Sequence, residues 1–308
     1  MRSIHSIGAG LALAFLLTAC GGGNSSLPAS TPVLPSSENA HSVSRIVPDS
    51  CPKTKIYVGD FAKGDVEIYP QGVSNPSPCG KIKASVAGPE AVFVDAKGRI
   101  YVANYTSSSV TEYVGTKLKF TIPTAGPPYD LFVGKGRTVY TAEPTINTVE
   151  EFAAGATTPF LTLVLNGGPH GVATDNQNNL YVSYLSNADG LSHVEEFAPN
   201  SSSGTDLGFT VSFAGELKFD TQNNLIIGDR NNEIVYVYPP GQIAPSRSFP
   251  TAGGRPVNFA LNKPETLFYV SGFNAVQVMD YASGVQVDGI STGLISPSGV
   301  ALYPPPPY

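Results

Sequence analysis

One histidine, His170, stands in a sequence context that could do chemistry. It lies in GPHGVATDNQNNLYVS, residues 168 to 183, and it is one of only 4 histidines in the chain. The stretch GPEAVFVDAKGRIYVA, residues 88 to 103, aligns with it without a gap and places Glu90 at the position of His170. An imidazole and a carboxyl group can move protons or ligate a metal ion. What they do here depends on the structure that the repeated segment builds.

The repeat recurs six times, with a period of about forty residues. One marker is a short apolar run centred on Tyr57, Tyr101, Tyr140, Tyr181, Ile226 and Tyr269. A second marker, Val-x-x-Tyr/Phe, follows each run and ends at Tyr69, Tyr113, Phe152, Phe197, Tyr238 and Tyr281. Fixed periods of this length are typical of solenoids and propellers. Because the second marker keeps one phase in every copy, we expect its rings to pack between neighbouring sheets.

Each copy consists of short segments rich in β-branched and aromatic residues, separated by turn residues. In the second copy we predict four strands, AVFVD, RIYVAN, SVTEYV and LKFTIP. No stretch between residues 54 and 303 has helical spacing of apolar residues. The sequence therefore predicts an all-β fold over residues 51–308, a six-bladed β-propeller with four strands per blade.

The two ends of the repeat region complement each other. SPSGVALYP, residues 296 to 304, has the pattern of a first strand, but no second strand follows it. KIYVGD in the first copy has the pattern of a second strand with no first strand before it. We therefore expect the C-terminal strand to pair within blade 1 and to close the ring.

The repeated Gly-Pro-x-x-Val-x-x-Asp, followed by NNLYV or GRIYV, resembles the repeats of the NHL, SMP-30/gluconolactonase and streptogramin-lyase propellers. The resemblance covers about 250 of the 308 residues. It implies the propeller fold, but such folds serve binding modules and enzymes alike. A metal-dependent enzyme of lactonase or lyase type is therefore the alternative to a binding function.

The most plausible ligand site is one mouth of the central channel. The first strand of a blade lies nearest the axis, and its start lies beside the end of the antiparallel second strand. Loops that converge on a rigid scaffold form binding sites. We predict ligand-binding residues at the starts of first strands (Glu90, Tyr129 and His170) and at the ends of second strands (Asp60, Asn104, Glu143, Tyr184 and Asp229).

Two interpretations of His170 remain open. As a proton-transfer group or metal ligand it would act with Glu90 and with Glu143 or Asp229, and GPHG resembles the streptogramin-lyase repeats. That family has seven blades, however, and His193, which falls in an outer strand, does not match its second catalytic histidine. We favour a polar rim residue that packs and forms hydrogen bonds, and we assign no catalytic residue.

A metal site is a further alternative. Calcium binding of the SMP-30 kind would use carboxylate and amide oxygens, which Glu90, Asp60, Asn104, Glu143 and Asp229 carry. These residues are spread over four or five blades around the channel, so we predict no metal ligand and no cofactor. The Asp- and Asn-rich segments at 175–179 and 220–224 are interpreted as tight turns, since they lack the spacing and the final Glu of a calcium loop.

The N-terminal segment predicts export. MRSIHSIGAGLALAFLLTAC has a basic start and an apolar stretch, and Leu17-Thr18-Ala19-Cys20 matches a bacterial lipobox. Residues 1–19 are therefore interpreted as a signal peptide and Cys20 as a lipidated residue; an ordinary secretory signal is the alternative. Residues 20–50 form a Gly/Ser/Pro-rich linker. We expect an envelope lipoprotein, in the outer membrane if the host has two membranes, as Gly21 suggests.

The two remaining cysteines, Cys51 and Cys79, form an even pair in an exported protein, which favours a disulfide over two free thiols. The net charge of −6 argues against a nucleic-acid partner. We therefore expect a monomer, held at the membrane by lipid, that binds a protein, a glycan or a small ligand at the channel mouth.

Overall fold

The computed structural model describes residues 51–251 and 254–307. The signal peptide, Cys20 and the linker to residue 50 lie outside the described residues. Within the described part of the chain, no helix is long and apolar enough to cross a membrane. The structure there is built from 24 strands, with two single 3-10 turns at Tyr105–Ser107 and Lys135–Arg137.

The strands follow one another blade by blade. Blade 1 begins with β1 (Lys55–Asp60), β2 (Asp65–Pro70) and β3 (Gly80–Ile82). Blade 2 consists of β4 (Pro89–Val94), β5 (Arg99–Asn104), β6 (Ser109–Val114) and β7 (Lys117–Pro123). Blade 3 consists of β8 (Asp130–Val133), β9 (Val139–Glu143), β10 (Thr148–Phe152) and β11 (Leu161–Val164).

The second half of the chain repeats this order. Blade 4 consists of β12 (Gly167–Thr174), β13 (Leu180–Ser186), β14 (Ser192–Phe197) and β15 (Gly204–Val211). Blade 5 consists of β16 (Ala214–Phe219), β17 (Leu225–Asp229), β18 (Ile234–Tyr238) and β19 (Arg247–Pro250). Blade 6 consists of β20 (Phe259–Leu261), β21 (Leu267–Ser271), β22 (Val276–Asp280) and β23 (Gln286–Ile290), and β24 (Pro297–Tyr303) follows it.

The described strands form six separate sheets of four strands each, all antiparallel, and the predicted propeller is confirmed. Blade 1 has the order β24-β1-β2-β3, so the last strand completes the first sheet as expected. Its register places Ile56 opposite Leu302 and Val58 opposite Val300. Gln71 reinforces this closure, since its side-chain amide donates to the carbonyls of Lys55 at 2.8 Å and Tyr303 at 3.0 Å.

The core lies between the blades, where the side chains of neighbouring sheets meet. The rings of the second sequence marker are buried there, as expected. Three of them also donate a hydroxyl hydrogen bond towards the preceding blade: Tyr113 to the Ala84 carbonyl, Tyr69 to the Thr292 carbonyl and Tyr281 to Asp220 Oδ2. The marker is therefore an inter-blade packing element, which explains why every copy carries it.

The predicted disulfide between Cys51 and Cys79 is present, with Cα atoms 5.2 Å apart. It joins the segment before β1 to the segment before β3. The chain is thereby held to blade 1, the same sheet in which β24 closes the ring.

Two mouths open at the ends of the central channel. The upper mouth is where first strands begin and second strands end; the lower mouth is where first strands end and second strands begin. In three turns at the lower mouth an aspartate side chain accepts backbone amides. In one of them, Asp175 Oδ1 accepts the amides of Gln177 at 2.9 Å and Asn179 at 2.8 Å. Asp95 and Asp220 do the same, so these segments are turns, as interpreted.

Candidate functional site

Three of the eight predicted ligand-binding residues meet at the upper mouth. Glu90, Tyr129 and His170 stand at the starts of blades 2, 3 and 4, and each is half-buried. The ring of His170 lies edge-on between Tyr129, at 5.2 Å between centroids, and Phe213, at 4.7 Å. The alignment therefore placed these three residues on one surface, and Phe213 of blade 5 extends the group.

Arg230 is the residue of this mouth that sequence reasoning missed. It directly follows β17 in blade 5, and its guanidinium carbon lies 5.0 Å from the Phe213 ring and 5.3 Å from the Tyr129 ring. Its Nη1 donates to the hydroxyl of Tyr129. The side chain thus reaches from blade 5 to blade 3. Glu90, Tyr129, His170, Phe213 and Arg230 together are called the upper cluster below.

The charge of Arg230 is not balanced by a contact. Among the described residues it forms no ion pair, and its buried Nε has no hydrogen-bond partner. The Nδ1 of His170 is likewise buried without a partner. Unsatisfied buried donors and acceptors are costly, and a water molecule, an ion or a ligand can satisfy them.

Burial and Arg230 together set the protonation of the upper cluster. Burial raises the pKa of Glu90 to about 7, against the opposing effect of Arg230. Burial, assisted by the charge of Arg230, lowers the pKa of His170 to about 4. At neutral pH the imidazole is therefore uncharged, and the Glu90 carboxyl can both give and take a proton.

Four other predicted residues, Asp60, Asn104, Glu143 and Asp229, are fully buried at 0% exposure. Each side-chain oxygen accepts a backbone amide of the loop that leads into its own blade, and we call these residues loop anchors. The amides and distances are Ile295 to Asp60 (2.7 Å), Ala87 to Asn104 (3.0 Å), Gly126 to Glu143 (3.1 Å) and Ser212 to Asp229 (2.9 Å). Their oxygens are therefore engaged beneath the mouth.

The remaining predicted residue, Tyr184, points towards the outer strands of blade 4. Its hydroxyl donates to Glu195 Oε1 at 2.9 Å, and its ring stacks on His193 at 5.8 Å. His193 in turn lies between Asp206, 2.8 Å from Nδ1, and Asp189, 3.0 Å from Nε2, and the hydrogen bonds to both carboxylates raise its pKa. This group is separate from the upper cluster.

A buried charged layer lies inside the ring. Lys218 and Glu216 form an ion pair whose side chains are 7% and 3% exposed, and Asp130 of blade 3 is also buried. Asp130 Oδ2 accepts the amide of Val172 at 2.9 Å. Burial raises the pKa of Asp130 to about 7 and that of Glu216 to about 8, and Lys218 opposes both shifts.

The side chains present do not fit a shared calcium site. Each loop anchor is committed to the backbone of its own blade, so the predicted oxygen ligands do not converge. Within the described residues, no group of three or more His, Cys, Asp and Glu side chains is placed to hold a metal ion.

Exposed apolar side chains surround part of the upper mouth. Phe61 is 36% exposed and its ring lies 6.3 Å from that of Tyr105. Phe273, 56% exposed, has the guanidinium of Arg255 at 5.5 Å from its ring. Ile295, 58% exposed, belongs to the loop between blades 6 and 1. Aromatic residues and arginine are enriched where proteins bind one another.

A cavity of about 670 Å³ opens at the other end of the ring, at the lower mouth. The turns of blades 2 to 5 and the C-terminal residues Pro306 and Pro307 line it. The predicted ligand-binding residues all belong to the upper mouth, and no sequence pattern predicted this cavity.

Comparison with known proteins establishes the fold alone. No family model matches the sequence, and no curated protein matches it. Among solved structures, a chain of a nidogen/laminin complex matches with a TM-score of 0.67 and 18% identity, over 81% of this chain and 98% of that one. A streptogramin B lyase matches with a TM-score of 0.52 and 13% identity, over 78% and 74%.

A protein of unknown function from Bacteroides caccae also matches, with a TM-score of 0.61 and 12% identity, over 81% of this chain and 98% of that one. Because 1002 chains of solved structures match, the fold is widespread. The propeller fold alone therefore does not indicate what this protein binds or catalyses.

Proposed function

We propose that the protein is an exported binding module, anchored in the bacterial envelope through Cys20, whose upper mouth recognises an acidic group on a partner protein. The observation that carries the proposal is Arg230, a half-buried cation with no ion pair among the described residues. A carboxylate that enters the mouth would pair with the guanidinium and accept a charge-assisted hydrogen bond from its Nε. A Glu90 carboxyl that is still protonated can donate a further hydrogen bond to it.

The surroundings of Arg230 support a protein as the partner. Phe61, Phe273 and Ile295 offer apolar contact around the mouth, and the rings of Tyr129 and Phe213 hold the guanidinium in place. A central charged contact with an apolar surround is a common arrangement of a binding hot spot. One structure of similar fold comes from a protein complex, that of nidogen and laminin, which is consistent with this use.

The binding proposal is tested with an array of short peptides, each carrying one Asp or Glu between apolar residues, probed with the full chain. We expect Arg230→Gln to weaken the strongest binder by about tenfold or more, because a buried charged contact is lost. Lys119→Gln removes a positive charge from an exposed position of the outer strand β7 and should have a much smaller effect. Equal losses in both variants would contradict the proposal, as would binding confined to glycans or to small acids.

The anchoring proposal rests on the lipobox and is tested separately. Cys20→Ser removes the thiol that lipid attachment at the lipobox requires, so the protein should move from the membrane fraction to the soluble fraction. Ser25→Ala in the same linker serves as the control. A Cys20→Ser variant that stays with the membrane would show that another feature holds the protein there.

A second candidate function, acid–base catalysis on an acidic substrate, is supported by Glu90. Its pKa of about 7 suits a group that both gives and takes protons at neutral pH. Arg230 would hold the substrate, and His170, neutral at this pH, would accept or donate a hydrogen bond. Turnover of a lactone or an acidic ester that is lost in Glu90→Gln, with substrate binding retained, would favour the enzyme over the binding module.

A further inference from the structure

The cavity at the lower mouth is a preformed concave site on the side of the ring opposite to Arg230. Its volume of about 670 Å³ falls within the range of small-molecule sites. None of the upper cluster contributes to its lining. It is therefore independent of the recognition proposed for the upper mouth.

The lining includes aromatic side chains. Phe93, Phe132 and Phe219 come from the ends of the first strands in blades 2, 3 and 5. The rings of Phe93 and Phe132 are 5.1 Å apart between centroids and nearly perpendicular, at 70°. Pro306 and Pro307 add further apolar surface. The rings of Phe93, Phe132 and Phe219 are only 5%, 3% and 7% exposed, so with the prolines they form an apolar floor that suits the apolar part of a ligand.

Blades 2 and 3 add positive charge to the rim. Arg99 pairs with Asp95 at 2.5 Å, and Arg137 pairs with Glu112 at 2.7 Å. Lys97 and Lys135, by contrast, are exposed and form no ion pair among the described residues. Two ammonium groups on adjacent blades thus remain available to an anion.

The acids of blades 4 and 5 are occupied by their own turns. Both oxygens of Asp175 accept hydrogen bonds from residues 177–179, including one from the Asn179 amide group at 3.1 Å. Asp220 is held in the same way and also accepts the hydroxyl of Tyr281 at 2.9 Å. The lysines are therefore the charged groups of this rim that lack a contact partner.

Asn178 supplies an unused acceptor on the blade 4 side. It lines the cavity and its side chain lies within hydrogen-bonding reach of the Tyr140 hydroxyl, while its buried Oδ1 accepts no hydrogen bond from the described residues. A buried acceptor gains from a donor that a ligand brings. A hydroxyl group is a suitable donor, because it is uncharged and can sit beside Asp175 without repulsion.

We propose that the lower mouth binds a flat aromatic carboxylate that carries a hydroxyl group. The carboxylate lies near Lys97 and Lys135, the ring system packs against the phenylalanines, and the hydroxyl donates to Asn178 Oδ1. The two lysines, the apolar lining and the Asn178 acceptor thus each match one part of such a ligand.

The test uses 6-hydroxy-2-naphthoate, a fluorescent member of this class, titrated into the full chain. We expect saturable one-to-one binding, and about tenfold weaker binding of the uncharged 6-hydroxy-2-naphthamide. The double variant Lys97→Gln/Lys135→Gln should weaken naphthoate binding to a similar extent. Lys117→Gln/Lys119→Gln removes two exposed charges from β7 and should leave binding unchanged.

Two further variants locate the ligand. Asn178→Gly keeps the left-handed backbone, which has a φ of 69°, and should weaken binding about fivefold through the lost hydrogen bond. Asn147→Gly, with a φ of 58°, is its control at another turn. The proposal is overturned by an absence of saturable binding, by equal affinity for the amide, or by a loss in Arg230→Gln that the lysine variant does not show. If the acidic peptides still bind at the upper mouth, none of these three outcomes counts against the function proposed for Arg230.

Discussion

Arg230 controls its neighbours at the upper mouth through charge as well as contact. It lowers the pKa of His170 and opposes the rise in the pKa of Glu90. His170 consequently packs as a neutral ring between Tyr129 and Phe213.

We predict that Arg230→Gln raises the pKa of His170 above its value of about 4, because the variant removes a nearby positive charge. The rise should stop short of the usual value near 6.5, because burial is the larger cause and remains in the variant. NMR titration of the imidazole measures it. His193, which lies outside the upper cluster, is the internal control, and an unchanged His170 titration would contradict the assigned role of Arg230.

The sequence could not reveal Arg230, because the equivalent positions in other blades hold Phe61, Tyr105 and Pro144. A site residue with no repeated counterpart leaves no signal in an alignment of copies. Only its side-chain length, which spans two blades, brings it to the Tyr129 hydroxyl. Glu90 and His170 were predictable since they occupy the same place in the repeat.

Among the structural elements, the loop anchors fix how each blade begins. Asp229 accepts five hydrogen bonds, from the amides of Ser212, Phe213, Asn231 and Asn232 and from the Asn232 side chain. The loop that it holds carries Phe213 towards Arg230. The anchors therefore position the upper cluster without being part of it.

We predict that Asp229→Ala lowers the free energy of unfolding by about 3 kcal/mol, because several buried amides lose their acceptor. Urea denaturation measures the loss. Asp288→Ala on β23, where the carboxylate is only partly buried, should cost less than about 1 kcal/mol. Similar losses in the two variants would show that Asp229 does not act as an anchor.

The strands and turns followed from the spacing of the sequence markers, since a strand needs only alternating burial and a suitable turn. The anchors did not, because their partners are backbone amides of a distant loop, 17 residues away for Asn104 and Ala87 and 235 residues away for Asp60 and Ile295. One clue was present: Asp60, Asn104, Glu143 and Asp229 share one phase of the repeat. A polar residue at a fixed phase indicates a structural role, by the same reasoning that applies to the packing aromatics.

For the molecule as a whole, closure depends on β24 and on the disulfide beside it. We predict that Cys51→Ser/Cys79→Ser lowers the free energy of unfolding by about 3 kcal/mol, as a cross-link over a loop of this size limits the unfolded chain. Denaturation with and without reductant measures it. The reductant should destabilise the parent protein only; an equal response of the double variant would contradict the prediction.

Stability should also fall as the pH rises from 6.5 to 8.5. The pKa values of Glu90, Asp130 and Glu151 are raised to about 7, and those of Glu143 and Glu216 to about 8. In this range the carboxyls of the folded protein lose protons that the unfolded chain has already lost. Their contribution to the free energy of unfolding is therefore fully present at low pH and is lost as the pH rises through the pKa of the folded state. His170 has its ordinary pKa near 6.5 in the unfolded chain and loses its remaining charge there as the pH rises, which offsets only a small part of the fall.

Glu151→Gln tests this pH dependence, because burial alone raises the pKa of Glu151. The variant should reduce the fall in unfolding free energy between pH 6.5 and 8.5 by on the order of 1 kcal/mol. Thermal and urea unfolding at the two pH values measure it. A slope equal to that of the parent would show that Glu151 ionises normally in the folded protein.

Pairing of β24 with β1 joins residues such as Val58 and Val300, which are far apart in the chain. A contact of such long sequence separation forms slowly, and a ring held by it is completed late in folding. The edge of β1 that later pairs with β24 therefore remains unpaired while the other blades fold. Its free backbone N–H and C=O groups can pair with a strand of another chain. A newly made molecule is most exposed to aggregation at this edge, and a chaperone that covers a single strand there would protect it until the ring shuts.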